Sequence, residues 1–292
     1  MKHVASNHTI KRCKPLLGTF IEVDLYGDLP EKDLVHWSNI AFNEIERIHH
    51  ALSFHAPESD ISVLNRALLT APQSAHNLTD DLSVILAFAH ALFKSTQGYY
   101  DLSVASKLVN DKHLPEHLFL ANSFEHNQPL GTFADVLISN NQISSKRPII
   151  IDLGGVAKGY AVDQAIALLP EDICGSINAG GDMRVIDWQN KKVEIKYGKR
   201  FSALKKLQMA NTALATSASY YNEGGSQYFN PIANHYVKIK GSMSVFSEKA
   251  MHADALTKVA LLVERQQAKQ ILTDYNATAI SINRFGFSRQ LI

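Results

Sequence analysis

The chain has 292 residues, 46% hydrophobic and 20% charged, a globular composition that leaves little room for extended disorder. Its 29 Lys+Arg against 28 Asp+Glu give a formal charge of +1, too even a balance to draw in a nucleic-acid backbone or an anionic membrane as its main partner. Cys13 and Cys174 form no zinc pattern, and the thirteen histidines include no HExxH or H-x-E…CxxC arrangement, so metallopeptidase and zinc-deaminase readings fail.

The opening MKHVASNHTIKRCK is basic but lacks the apolar core of a secretory signal, and no stretch approaches the roughly 20 apolar residues that span a bilayer. A soluble, cytoplasmic protein is expected. TFIEVDL (19–25) alternates as a half-buried strand does. A helix is predicted over 33–52, where Leu34, Trp37, Ala41, Ile45, Ile48 and Leu52 recur at spacings of three and four. LSFHAPESDISVLNR (52–66) reads as a polar loop, and a second helix over 80–96 has Thr79 as N-cap and Gly98 as its stop.

Residues 110–135, with Pro115 and Pro129, read as an irregular excursion. PIIIDL (148–153) is predicted as a buried strand, followed by a helix over 157–169 that Pro170 stops. Strands follow at 175–178, 183–186, 192–197 and 235–240. A helix starts near 247, another covers 264–274, then comes a strand over 277–283, a turn at Arg284-Phe285-Gly286 and a closing strand. The fold class is α+β or α/β, with mixed, largely antiparallel sheets flanked by helices. Residues 15–292 read as one domain behind an extension of residues 1–14.

Three segments carry chemistry. In IDLGGVAKGYAVDQA (151–165) a strand ends on Asp152, Gly154 and Gly155 follow, and a helix opens with Lys158. Paired glycines let a ligand approach the backbone, and helix-terminal N–H groups favour anionic oxygens. A tight strand-to-helix turn with a solvated lysine is the plainer account. INAGGDMRV (177–185) is a second Gly-Gly turn, carrying Gly180 and Gly181 and ending on Asp182. It is either an ordinary hairpin or part of a shared pocket. In MHADALTKVALL (251–262), Asp254 near a helix start serves the helix dipole or pairs with Lys258. Alternatively it is a magnesium ligand, with Thr257 adding a hydroxyl. GYYDLSV (98–104) sets Tyr99, Tyr100 and Asp101 just after a helix stop, as partial core or as rings stacked on a flavin.

In order, PLLGTFIEV, SFHAPESDISVLN, GYYDLSV, IDLGGVAKGYAVD, INAGGDMRV, ATSASYYN and HADALTKVALL resemble the FAD:protein FMN transferase family, also called ApbE. The resemblance covers about residues 15–262 and implies a T-fold-type architecture. It implies transfer of FMN from FAD to a Thr or Ser of a flavin-accepting target protein, with AMP released and magnesium required. It further implies FAD contacts at Leu17, His55, Tyr99, Tyr100, Asp101, Asp152 and Lys158, near Gly180 and Gly181. Magnesium would be held by the Gly155 carbonyl and Asp254, with Thr257 as a possible third ligand.

The departures are specific. His55 stands where the family has an aromatic, and Lys258 stands where it has threonine. Gln227 and Asn230 replace a histidine and an aspartate. That leaves His235 and His252 as the nearby candidates for the base that a hydroxyl acceptor needs. Two activities remain open, FMN transfer and FAD binding by a catalytically degenerate member.

Overall fold

The computed structural model describes residues 8–117, 129–198, 204–218, 228–239 and 241–291. In chain order the elements open with β1 (His8–Leu16), β2 (Thr19–Gly27), α1 (Glu31–Leu52) and α2 (Asp60–Thr70). Then come β3 (His76–Asn77), α3 (Asp80–Ser95), α4 (Ala105–Asn110), β4 (Val136–Ser139) and β5 (Gln142–Ser145). Next are α5 (Ala157–Ala167), β6 (Cys174–Ala179), β7 (Asp182–Val185), β8 (Lys192–Lys196), β9 (Leu204–Gln208) and β10 (Ala213–Ala218). The chain closes with β11 (Phe229–Asn230), β12 (His235–Tyr236), β13 (Gly241–Ser247), α6 (Ala250–Leu262), α7 (Arg265–Asp274), β14 (Thr278–Asn283) and β15 (Ser288–Gln290).

These elements belong to two compact units, one of Met1–His49, Val156–Ser226 and Lys238–Ile292, the other of His50–Gly155 and Gln227–Val237. The first unit holds an eight-stranded sheet in the order β1-β2-β6-β7-β10-β13-β14-β15, antiparallel at every pairing. Val185, Ile195, Met209, Leu214, Phe246 and Ile282 form one of its buried clusters. The second unit holds the three-stranded sheet β3-β5-β4 and the β11–β12 pair, with Phe54, Leu69, Ala105, Val109 and Ile150 buried together. The mixed, largely antiparallel fold class expected from the sequence is the one observed.

Several elements differ from expectation, each for a physical reason. The predicted polar loop over 52–66 gives way to α2, whose N-cap Ser59 accepts a bond from the Ser62 amide at 3.2 Å. Ile61, Leu64 and Leu68 recur at helical spacing and are buried, a stripe hidden among polar residues. β1 was not anticipated because only Ile10 is buried in it, and its lysines and arginine suit the exposed edge of a sheet.

PIIIDL is buried but is not a strand. Its ladder partner is a side chain: Asn65 Nδ2 donates to the Ile151 carbonyl at 2.9 Å, and the Ile151 amide donates to Asn65 Oδ1 at 2.8 Å. The strand expected over 235–240 shrinks to His235–Tyr236, while serine-rich Gly241–Ser247 is the long interior strand, between β10 and β14. The helix expected near 247 starts at Ala250, where Asp163 on α5 accepts from the Ala250 and Met251 amides at 3.0 and 2.9 Å. Within the excursion of 110–135, residues 118–128 lie outside the described set; Phe133–Asp135 form a single 3-10 turn. Among the described residues no helix is long and apolar enough to cross a membrane.

Candidate functional site

In the first unit, two hairpin tips lie side by side because β2 pairs with β6, Ile21 opposite Ala179. The β1–β2 turn is Leu17-Gly18, with φ of 56° and 67°, the left-handed pair that a two-residue primed turn requires. The β6–β7 turn is Gly180-Gly181. Gly180 has φ 66°, and a Cβ there would sit 2.4 Å from Thr19 Oγ1, so only glycine fits. Asn178 Oδ1 accepts from the Gly181 amide at 2.9 Å and holds the turn.

Directly after this turn Asp182, 4% exposed, meets Lys158 from the first turn of α5, Oδ2 to Nζ 3.1 Å. α5 can deliver Lys158 here because Gly159 allows the helix to touch α6. A Cβ at Gly159 would lie 2.2 Å from the Ala250 carbonyl oxygen. Asp254 on α6 is 1% exposed; its Oδ2 lies 3.9 Å from Lys158 Nζ. Lys258, one turn on, sets its ammonium on Asp254 Oδ1 and donates to the Asp254 main-chain carbonyl at 2.9 Å. Thr257 donates to the same carbonyl at 2.7 Å and shares a 2.6 Å bond with Ser217.

The electrostatics follow from burial and pairing. Burial, then repulsion from Asp254, push the Asp182 carboxyl up to about 6 against the pull of Lys158 and Lys258. For Asp254 burial alone would act upward, but Lys258 and Lys158, with the Gly159 N–H, outweigh it and hold the carboxyl below its usual range.

In the second unit the GYYDLSV turn lies against IDLGG. The Asp152 amide donates to the Leu102 carbonyl at 3.1 Å, and the Tyr100 hydroxyl reaches the Gly155 carbonyl at 3.5 Å. Tyr100 is buried and Tyr99 half-buried. Asp101 caps the 3-10 turn over Leu102–Val104: its Oδ1 accepts from the Ser103 amide at 2.7 Å and from the Ser103 hydroxyl at 2.6 Å. Burial nonetheless pushes the Asp101 carboxyl up. Asp152 Oδ2 accepts from the Gly154 amide at 3.1 Å. His55 lies exposed in the turn after α1.

The residues expected around FAD thus form two groups. Leu17, Lys158, Gly180 and Gly181 stand in the first unit; His55, Tyr99, Tyr100, Asp101 and Asp152 stand in the second. Of the expected metal ligands, Asp254 and Thr257 belong to the first unit and Gly155 to the second. His235 is exposed on β12, its Nδ1 3.1 Å from the Ala233 carbonyl. His252 packs edge-to-face on Tyr275, ring centroids 5.2 Å apart. It stands two helix positions from Asp254, about 200° around the axis. Burial, helped by Lys249, lowers it to about 4. Asn230 Oδ1 accepts from the Ile232 and Ala233 amides at 3.0 and 2.9 Å; Gln227, Tyr220 and Tyr221 lie outside the described residues.

Sequence reasoning offered the Lys258–Asp254 pair from its four-residue spacing, and the structure has it. It passed over Asp182 as the partner of Lys158 and the supports Asn65 and Asp163. Nothing local pointed to Asn65, whose partner is 86 positions away.

The donors do not fit the magnesium that the family resemblance implies. One oxygen of Asp254 is taken by an ammonium. The other lacks a hydrogen-bond partner of ordinary geometry but faces a second ammonium, and the Thr257 hydroxyl is spent inward. Two carboxylates and two lysines sum to zero charge. Repulsion of a doubly charged ion by ammonium groups about 5 Å away is of order 10 kcal/mol at an effective dielectric of about 20. It offsets a large part of the carboxylates' pull, which would otherwise have to strip water from magnesium.

Solved structures share this fold. A protein from Thermotoga maritima described as the ApbE protein is 21% identical with TM-score 0.75, covering 97% of each chain. The flavin transferase ApbE of Vibrio cholerae is 17% identical with TM-score 0.76, over 97% of this chain and 96% of that one. The flavinyl transferase ApbE of Pseudomonas stutzeri, in its apo form, is 18% identical with TM-score 0.74, over 99% and 96%. No curated protein matches the chain in sequence. The sequence profile of the ApbE family matches residues 17–281, nearly the whole chain, and the chain belongs to that family.

Proposed function

We propose that this chain is a flavin transferase that takes FAD as donor and an acceptor protein's Ser or Thr as target. The acceptor hydroxyl oxygen bonds to the FMN phosphorus, the diphosphate P–O bond to the AMP moiety breaks, AMP leaves, and the hydroxyl proton passes to a base. The observation that carries the reading is the pairing of motif with motif. GYYDLSV is bonded to IDLGG within the second unit, and the Gly180-Gly181 turn, Lys158 and Asp182 meet within the first. Buried polar groups gathered on glycine turns suit a dinucleotide better than a purely structural role.

In this reading Lys158 supplies positive charge to the diphosphate, half-buried Tyr99 offers ring surface to the isoalloxazine, and buried Tyr100 supports the turn that carries it. Of the two candidate bases His235 keeps the role, because a histidine lowered to about 4 is a poor proton acceptor at neutral pH. Magnesium has no part in the proposal. A cytoplasmic location belongs to the same reading and rests on the sequence alone.

The test incubates the purified chain with FAD and a Ser/Thr acceptor protein. Mass gain equal to FMN on the acceptor, with AMP in solution, is the expected result. A second reading, FAD binding without transfer, is favoured by Asn230, whose side-chain oxygen is tied up in a turn where the family has aspartate. FAD bound with no mass gain on the acceptor decides for it.

A further inference from the structure

On α6 the run Asp254-Ala255-Leu256-Thr257-Lys258 sorts its groups by helical geometry. Position i+3 turns the Thr257 hydroxyl inward to Ser217, and position i+4 brings the Lys258 ammonium back over Asp254. Lys258 is 17% exposed in its side chain and holds both a carboxylate oxygen and the main-chain carbonyl of the same residue. Two acceptors one turn away fix an otherwise mobile side chain. A buried carboxylate with no cation beside it would repel a diphosphate, and neutralising it is one service a divalent ion performs in such a site.

We infer that Lys258 is the built-in cation of this site: its ammonium stands on Asp254 in place of a divalent ion, so a flavin diphosphate binds without magnesium. This rests on the flavin reading above. Lys158, about a third exposed, is then the charge offered to the diphosphate oxygens, while Lys258 keeps Asp254 from opposing them. The arrangement is closed to magnesium for the same reason that it does not need it.

The test uses the full chain and two readouts, Mn2+ titration followed by electron paramagnetic resonance, and FAD affinity by fluorescence quenching in EDTA or in Mg2+. The wild type is expected to leave Mn2+ free and to bind FAD within about twofold under both conditions. Lys258→Thr is expected to bind one Mn2+, and a Lys258→Thr, Asp254→Asn double variant to lose it. One-to-one Mn2+ binding by the wild type that Asp254→Asn abolishes overturns the inference. So does a loss of FAD affinity of about tenfold or more in EDTA, or a folded Lys258→Thr that ignores Mn2+. Should Lys258→Thr not fold, Lys258→Arg decides: it keeps the charge and must stay blind to Mn2+, and capture of the ion by it overturns the assignment. If FAD binds under neither condition the flavin reading falls, and the Mn2+ arms alone still judge Lys258.

Discussion

Gly159 and Ala250 are in backbone contact, so close that a single added carbon on Gly159 would lie 2.2 Å from the Ala250 carbonyl oxygen. That contact lets α5 and α6 present Lys158 and Asp254 to one another. Gly159→Ala is therefore expected to cost about 2–4 kcal/mol, because backbone atoms, not a flexible side chain, must move aside. Urea denaturation followed by circular dichroism measures it, and a loss under about 1 kcal/mol would mean the helices part easily.

Asn65 is the only ladder partner among the described residues for the Ile151 amide and carbonyl, both in a fully buried segment. Asn65→Ala strands one donor and one acceptor and is expected to destabilise by about 2–4 kcal/mol. Native-state hydrogen exchange gives the local reading: the Ile151 amide should lose protection before the strands of the eight-stranded sheet do. Equal loss in both places would contradict a local role.

His252 sets an acid limit on stability. Burial holds it near 4 when folded, against the usual value of about 6.5 when unfolded, so between those values the unfolded chain binds the extra proton. The stability tied to the neutral ring is present above pH 6.5 and is lost as the pH falls through 4. Allowing for its partial exposure, the loss is up to about 2 kcal/mol. His252→Phe keeps the packing on Tyr275 and should flatten this part of the pH–stability curve. An unchanged curve from pH 7 to 4 would show that the ring titrates normally.

Leu17 holds φ 56° without being glycine or asparagine, a backbone cost of order 1 kcal/mol. Leu17→Gly is expected to raise the denaturation midpoint slightly. If Leu17 also touches the flavin, FAD affinity falls in the same variant. Stability and affinity moving in opposite directions is the signature of a strained residue kept for a ligand. A fall in both would show that the side chain is there for packing.

What the sequence made legible was periodicity and glycine. α1, α3 and β2 could be read from their apolar spacing, and the β6–β7 hairpin from Gly180-Gly181, because those signals are local. α2 was obscured because His55, Pro57, Glu58 and Asp60 cluster at its entrance and look like a loop. β13 was obscured because Ser242, Ser244 and Ser247 are buried polar residues in an interior strand, against the usual composition. In the candidate site the individual residues of the motifs were visible, and so was the Lys258–Asp254 pair, from its four-residue spacing on one helix. That Lys158 takes Asp182 depends on how α5 and β7 pack, which no window of sequence contains.

The strand order has a consequence for how the molecule is made. β2 finds its neighbour β6 only after roughly 150 further residues have been synthesised, so that pairing carries a large loop-closure cost and cannot form early. Until then the edge of β2 that will take β6 stays unpaired, even with α1, made directly after the hairpin, bonded to β1 through Arg12. The nascent chain therefore has a long interval in which this one ribbon is the place where a chaperone, or a second unfinished copy, would bind.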